Sequence, residues 1–346
     1  MSRTLIFSVV VLAVGAKPNL DAQEISGMPS FKDVLSLKSV GSPQISPEAR
    51  MVAYTVRSTD WDENSYDTEI WLAPADGEVF QLTRTADGSS TSPQWSPDGR
   101  RIAFVTDRGE GRQVHLIAVR GGEAMPITNM DGGVTAFSWA PTGDRILLSV
   151  SESESEESKA TKEQYGAFEV EDAETRNSHL WMMEIDKDGE ASEPERLTEG
   201  DFHISEAHWS PDGTRIAYVR HPDSKLLSFM ESDIFVLDVE SGESSGLVVG
   251  AGPDSGPEWS PDGEWILFSE YEQDLGSLFF LNSELARIPS AGGSIQVLTR
   301  DFDEEPGPVA WTEAGIRFGA GHRTRRIIYS LDPETGGIEE LPLPSP

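Results

Sequence analysis

One stretch has the spacing of a hydrolase nucleophile: Gly242-Glu243-Ser244-Ser245-Gly246 fits G-x-S-x-G. In a nucleophile elbow the serine stands on a sharp turn from a buried strand into a helix. Here a β-rich run, Asp233 to Val239, does precede the motif. Another β-rich run, Leu247-Val248-Val249, follows it, and no Asp and His come later in a recognisable context. The motif also overlaps Glu240-Ser241-Gly242-Glu243, which stands where other parts of the chain carry Gly121-Gly122-Glu123 or Ala291-Gly292-Gly293. A hairpin turn is therefore expected, with no catalytic role. His203, His208 and His221 are grouped, but not at a metal-ligand spacing. His203 and His208 are five apart, which puts them on opposite sides of an extended strand. Asp186-Lys187-Asp188-Gly189-Glu190 resembles the start of a calcium loop but lacks its third ligand pair and distant Glu, so it too reads as a hairpin turn. No catalytic residue, metal site or cofactor site is expected.

The elements around these residues come from a repeat. Trp95-Ser96-Pro97-Asp98-Gly99 returns as Trp209-Ser210-Pro211-Asp212-Gly213 and Trp259-Ser260-Pro261-Asp262-Gly263. Weaker copies begin at Ile45, Trp139 and Trp311, so consecutive anchors are 50, 44, 70, 50 and 52 residues apart. A period of about 40–50 residues is that of one β-propeller blade. In the second copy Ser92 to Trp95 enters as a strand, and Ser96 to Gly99 is a turn in which Pro presets φ and Gly takes a positive φ. Arg101 to Asp107 alternates as a second strand, Gln113 to Val119 is a third, and Met125 to Thr128 closes the unit. Gln81-Leu82-Thr83, Arg196-Leu197-Thr198 and Val297-Leu298-Thr299 are read as further fourth strands. Nothing shows sustained helical periodicity. The expected fold is all-β: a β-propeller over residues 31–346, with blades starting near 45, 95, 139, 209, 259 and 311. Its six blades form a complete ring or part of a seven- or eight-bladed one. The anchor tryptophans are expected to pack between blades.

Asp and Glu number 60 against 27 Lys and Arg, a formal net charge of −33. Such a surface repels nucleic acid phosphates and anionic membranes. The first residues read as a secretory signal: Arg3, an apolar stretch from Leu5 to Ala16 too short to span a bilayer, and small-residue cleavage sites after Ala16 or Ala22. A signal peptide over 1–22 implies export to a bacterial periplasm or beyond; an uncleaved anchor is the alternative. With no Cys there is neither a disulfide framework nor lipid attachment at a cysteine.

The S-P-D-G turns resemble both TolB-like periplasmic propellers and the propeller of prolyl oligopeptidase-family serine peptidases. The spacers favour the second. Leu37 to Pro47, Asp60-Trp61-Asp62-Glu63-Asn64-Ser65-Tyr66 leading into Ile70-Trp71-Leu72, and Leu298 to Pro306 followed by Ala310-Trp311-Thr312 look like the acylaminoacyl-peptidase branch of that family. Tyr165 to Val170 followed by Arg176 to Trp181 is similar too. The resemblance runs from about Phe31 to about Pro342. It implies a propeller that filters peptides above an α/β-hydrolase domain holding the Ser, Asp and His. This chain ends at Pro346 without such a domain, so either a truncated product or a self-standing six-blade protein is expected.

The longest spacer, between the third and fourth anchors, is an acidic insertion over 151–176. Ser151 to Glu157 alternates Ser and Glu and reads as a solvated run. Insertions in repeat proteins map to one face, often the binding face. In related dipeptidyl peptidases propeller carboxylates hold the substrate's amino terminus. Glu169, Glu171, Asp172 and Arg176 are therefore the expected contacts with a peptide or with the hydrolase domain. Gly321 to Arg326 is the one basic cluster. The function expected is gating and binding of peptides by an exported, non-catalytic propeller. The alternative is a TolB-like periplasmic scaffold that binds other proteins. A propeller enzyme with a central metal site would need Asp, Glu or His at matching blade positions, and no such set recurs.

Overall fold

Each repeat folds into one antiparallel sheet of four strands taken in chain order, and no strand crosses from one sheet to another. The computed structural model describes residues 29–85, 88–109, 111–166, 176–250, 252–271 and 282–342. Blade 1 is β1 (Ser39–Ile45), β2 (Met51–Asp60), β3 (Ser65–Pro74) and β4 (Phe80–Gln81). Blade 2 is β5 (Ser90–Trp95), β6 (Arg101–Thr106), β7 (Gln113–Ala118) and β8 (Met125–Pro126). Blade 3 is β9 (Val134–Trp139), β10 (Arg145–Ser151), β11 (Ser178–Glu184) and β12 (Glu195–Arg196). Blade 4 is β13 (His203–Trp209), β14 (Arg215–His221), β15 (Asp233–Asp238) and β16 (Ser244–Val248). Blade 5 is β17 (Ser255–Trp259), β18 (Trp265–Glu270), β19 (Glu284–Pro289) and β20 (Gln296–Val297). Blade 6 is β21 (Gly307–Thr312), β22 (Gly315–His322), β23 (Arg325–Leu331) and β24 (Ile338–Glu340). The chain is thus a six-bladed array of the expected class.

The S-P-D-G phrase closes the hairpin between the first and second strands. In blade 2 Ser96 Oγ donates to Asp98 Oδ1 at 2.6 Å and accepts the Arg101 N–H at 3.0 Å. Ser210 and Ser260 repeat both bonds. Gly99, Gly213 and Gly263 close the turns at φ of 69°, 70° and 71°, a region where a side chain is strained. The anchor tryptophans lie between blades. Trp95 Nε1 donates to the Gln44 carbonyl of blade 1, and Trp259 Nε1 to the His208 carbonyl of blade 4, each at 3.0 Å. From the preceding blade, Arg145 lies 5.5 Å from the Trp209 ring and Arg215 lies 4.7 Å from the Trp259 ring. Each of these guanidinium groups also donates to the turn glycine carbonyl of the next blade at 3.1 Å.

Two local readings are corrected. The fourth strands of blades 1, 2, 3 and 5 are only two residues long. Thr83, Thr198 and Thr299 therefore stand beyond them and accept the third-strand N–H of Ile70, Leu180 and Leu285 through their hydroxyls. Part of the solvated run becomes helical: α1 (Phe31–Leu35) precedes the blades, and α2 (Glu156–Tyr165) lies in the insertion. Ser155 caps α2, Glu156 and Glu157 fill its first turn, and Lys159 pairs with Glu156 at 2.8 Å. This helix buries no residue. It has no apolar stripe, so periodicity could not reveal it.

Every first strand carries one extra residue relative to its second-strand partner, a β-bulge near its start. At Pro43, Pro93 and Pro257 the bulge absorbs the lost ladder N–H, and the residue before each proline has positive φ; Pro308 lies at the bulge of blade 6 without that feature.

Five apolar clusters join consecutive blades, from blades 1 and 2 (Ile70, Leu72, Ile102, Phe104) through to blades 5 and 6 (Leu267, Leu285, Ile316, Phe318). In blades 2 to 6 the second strand turns Ile and an aromatic or Leu toward the preceding blade. Blade 1 carries Val52 and Tyr54 at these positions, and among the described residues no cluster covers them. On the same face Val40 is 70% and Ile45 58% exposed. Phe104→Ala, at a fully buried site, should cost about 3–5 kcal/mol in denaturant unfolding. Ile45→Thr should change stability by less than about 0.5 kcal/mol and reduce self-association in sedimentation. A comparable stability loss for both would mean that the blade 1 face is covered.

Candidate functional site

All six sheets run the same way, so their connections sort into two ends. One end carries the short S-P-D-G turns and the hairpins between third and fourth strands. The other carries the links between blades and the connections between second and third strands, among them the 152–177 insertion and the 222–232 segment with its 3-10 turn (Leu226–Glu231). Most of the unusual ionisable groups stand at this variable end, and one row runs from it toward the turns.

The first is a row on β13. Its bulge falls at Ser205, so His203, Glu206 and His208 pair with His221, Val219 and Ala217. Those partners alternate regularly on β14 and share one face. His203 and His208 therefore also share a face, contrary to the expectation from their spacing. The row meets blade 5: Gly256 N–H donates to Glu206 Oε2 at 3.0 Å, and His208 Nδ1 lies 3.9 Å from Glu258 Oε1. Burial raises the Glu258 carboxyl above its ordinary pKa; the nearby His208 opposes this and Glu206 adds to it. Blade 4 lacks the Pro that marks the bulge in blades 1, 2 and 5, so its sequence carries no local sign of the register change.

The second is an acidic mouth between blades 4 and 5. Asp254 is 6% exposed, and its loop is tied to Ser232 by two bonds of 3.0 Å, backbone to backbone and Ser232 Oγ to the Asp254 carbonyl. Its carboxyl is pushed up to about 7, chiefly by burial, then by Glu270 and Asp233. Glu270 is raised by burial and by Glu284, against Arg300. Such crowding favours a cation, and an ammonium group of a ligand fits that preference. Among the described residues no group of three or more His, Asp or Glu could hold a metal ion. None of these carboxylates stood out in the sequence, because their proximity comes from strand ends about 20 residues apart.

The third is the neck of the insertion. Glu152 and Asn177 clamp it: the Glu152 N–H donates to the Asn177 carbonyl at 2.7 Å and the Asn177 N–H to Glu152 Oε2 at 3.0 Å. Ser178 N–H donates to His203 Nδ1 at 3.0 Å, and the His203 and His221 rings are 5.7 Å apart. Burial lowers the pKa of His179, His203 and His221, which keeps all three imidazoles neutral at pH 7. Arg176 is exposed beside this neck. With Lys162 and Ser158 as the stronger influences, it helps hold the Glu154 carboxyl low. Glu169, Glu171 and Asp172 lie outside the described residues, as does the 1–22 segment.

The hydrolase-like motif is the end of a hairpin turn and the first residues of β16. Gly242 has φ 70°, and Ser244 Oγ shares a 2.6 Å hydrogen bond with the Tyr218 hydroxyl. Asp186 Oδ1 accepts the N–H groups of Asp188 and Glu190, each at 2.8 Å, and serves a turn. Arg323, Arg325 and Arg326 are exposed on the β22–β23 hairpin.

Residues 16–170 match the family described as the TolB β-propeller domain. The chain is 27% identical over 242 residues to the uncharacterized peptidase YuxL of Bacillus subtilis (strain 168), covering 68% of this chain and 30% of that protein. It is 24% identical over 339 residues to dipeptidyl-peptidase 5 of Porphyromonas gingivalis, covering 89% of this chain and 48% of that protein. The chain thus spans less than half the length of these relatives. Among solved structures, Pyrococcus horikoshii acylaminoacyl peptidase superposes with a TM-score of 0.63 at 16% identity, over 90% of this chain and 46% of that one. The propeller domain of the trilobed protease from Pyrococcus furiosus gives 0.59 at 14% identity, over 88% and 82%. These structures share the propeller fold, and the two sequence relatives named here are described as peptidases. No helix among the described residues is long and apolar enough to cross a membrane.

Asp254 supplies a test of the acidic mouth. The folded chain holds this proton up to about pH 7, whereas an unfolded Asp loses it near 3.9. The folded state therefore binds more protons across that window, and this contribution to stability is lost as pH rises from about 4 to about 7. Asp254→Asn has no such loss. Its stability relative to the parent chain should increase between pH 5 and pH 8, by roughly 3 kcal/mol at most. An equal difference at both pH values in urea unfolding would place Asp254 in a solvated site.

Proposed function

We propose that this chain is the propeller portion of an exported peptidase of the prolyl oligopeptidase family, where it admits and binds peptides while an α/β-hydrolase domain performs hydrolysis. The observation that carries this reading is the similarity to dipeptidyl-peptidase 5 across 89% of the chain, which corresponds to only 48% of that relative. The structure supplies a compatible surface. The long insertion, the Asp254 mouth and the His203 row all open at one end of the blades, and the carboxylates there suit a peptide's amino group. Glu169, Glu171, Asp172 and Arg176 are the proposed contacts of the insertion with a peptide or with the hydrolase domain. Export rests on Arg3 and the apolar run from Leu5 to Ala16, with cleavage after Ala16 or Ala22. The periplasm or the extracellular space is the proposed location.

A second reading, a TolB-like scaffold that binds other periplasmic proteins, draws on the TolB propeller match over residues 16–170. Calorimetry separates the two. Under the peptidase reading the purified chain leaves acyl-peptide and dipeptidyl substrates intact but binds peptides with a free amino terminus. Glu171→Ala combined with Asp172→Ala should weaken that binding about tenfold, the loss of one charge-assisted contact. Unchanged affinity removes the insertion from the site, absence of binding favours the scaffold, and hydrolysis by the chain alone refutes both readings.

A further inference from the structure

Buried polar side-chain atoms without a hydrogen-bond partner are unevenly placed. Six of the eight found among the described residues belong to blades 2 and 3, including His115 Nδ1, Asn177 Oδ1 and His179 Nε2. Each such atom costs about 1–3 kcal/mol, and two of these residues, His115 and His179, also line cavities at the outer edge where blades 2 and 3 meet.

Two adjoining cavities of about 360 and 980 Å³ lie along the outer strands of this junction and share Asn129, Met130 and Trp181 as lining residues. The smaller also borders Glu152, His179 and Arg196; the larger reaches His115 and the hairpin Gly189 to Pro194. Together they follow β11 from His179 past its end. A seven-residue strand is about 23 Å long, so the groove matches an extended chain of about six residues.

His179 defines the chemistry. The Thr198 hydroxyl accepts the Leu180 N–H and lies 3.4 Å from His179 Nδ1. In blades 1 and 2 the equivalent Thr83 and Thr128 accept the third-strand N–H in the same way and donate to Glu69 and Gln113. By the same pattern Thr198 donates to Nδ1, which leaves the ring proton on Nε2. That N–H is buried on a side chain 1% exposed, and its nearest carboxylate, Glu152 Oε1, is 3.7 Å away, beyond hydrogen-bond reach. Burial and Arg196 keep the ring neutral. The groove thus combines an uncharged donor, the carboxylate acceptors Glu152 and Asp131, and the apolar faces of Trp181 and Met130. Peptide backbone presents the matching alternation of C=O and N–H groups with side chains between. A free carboxylate would meet two like charges.

We propose that the outer groove between blades 2 and 3 binds an extended peptide segment, one of whose carbonyls accepts from His179 Nε2 while its N–H groups face Glu152 and Asp131. This groove meets the variable-end surface at the neck of the insertion, through Glu152 and His179, and makes no use of the Asp254 mouth. The test is hydrogen–deuterium exchange of the full chain with millimolar acetyl-Leu-Thr-Leu-Thr-Leu-Thr-amide, a peptide without a free amino terminus. Protection is expected at residues 129–132 and 178–184. His179→Phe should lower the affinity about tenfold, His179→Gln should keep most of it through its side-chain N–H, and Glu152→Gln gives a second, independent loss. Melting curves establish that each variant is folded. Absence of protection at these segments overturns the proposal, as does equal affinity in the Phe and Gln variants at His179 or an unaltered affinity in Glu152→Gln if His179→Phe does not fold. Protection confined to the Asp254 mouth also overturns it while leaving peptide binding by the propeller intact.

Discussion

The junction between neighbouring blades is the contact on which the rest of the molecule depends. A sheet of four strands cannot bury both faces alone, and stacking supplies the missing cover. Here the stacking is registered by polar contacts as well as apolar area. An anchor tryptophan gives its indole N–H to the preceding blade at the first and fourth junctions, and arginines of blades 3 and 4 lie over the next anchor ring while bonding the next turn. One geometry thus sets the spacing of turn, tryptophan and arginine. The connections at the far end are free to vary in length because they take no part in it.

This division explains what the sequence makes legible. Trp95, Ser96, Asp98, Gly99 and Arg101 all serve the turn and the junction, so their types and spacing recur and reveal six blades. The fourth strands are less legible, since in four blades only two residues pair and the closing Thr acts through its hydroxyl. Helix α2 stands on a cap, favourable end charges and surface ion pairs, none of which writes a period into the chain. The functional groups are the least legible. Asp254, Glu270 and Asp233 belong to different strand ends, and His179 escaped notice because its significance lies in one ring nitrogen and the residues across a junction.

The charge of the chain looks different once its position is known. Most of the carboxylates among the described residues are solvated, but at the blade 4–5 junction Asp254 is buried and Glu258 and Glu270 are partly so. Burial penalises their ionised form, and neighbouring carboxylates add to the penalty. The same junction is held by the Trp259–His208 and Arg215–Gly263 contacts. Asp254 and Glu270 stand at the variable end of this pair of sheets, while Glu258 stands beside Trp259 among the contacts that tie the other end.

The bulge in every first strand has a consequence beyond bending. A strand has parity: odd and even positions point to opposite faces, and one added residue exchanges them. Positions before the bulge are thus counted on a different parity from the anchor tryptophan and the core behind it. Those positions still serve the core, as buried Val134 and Ile204 do, but with their parity reversed. In blade 4 the inserted residue turns His203 from the face of Trp209, where simple alternation would place it, to the face of Glu206 and His208, and so gathers a polar row along one short strand.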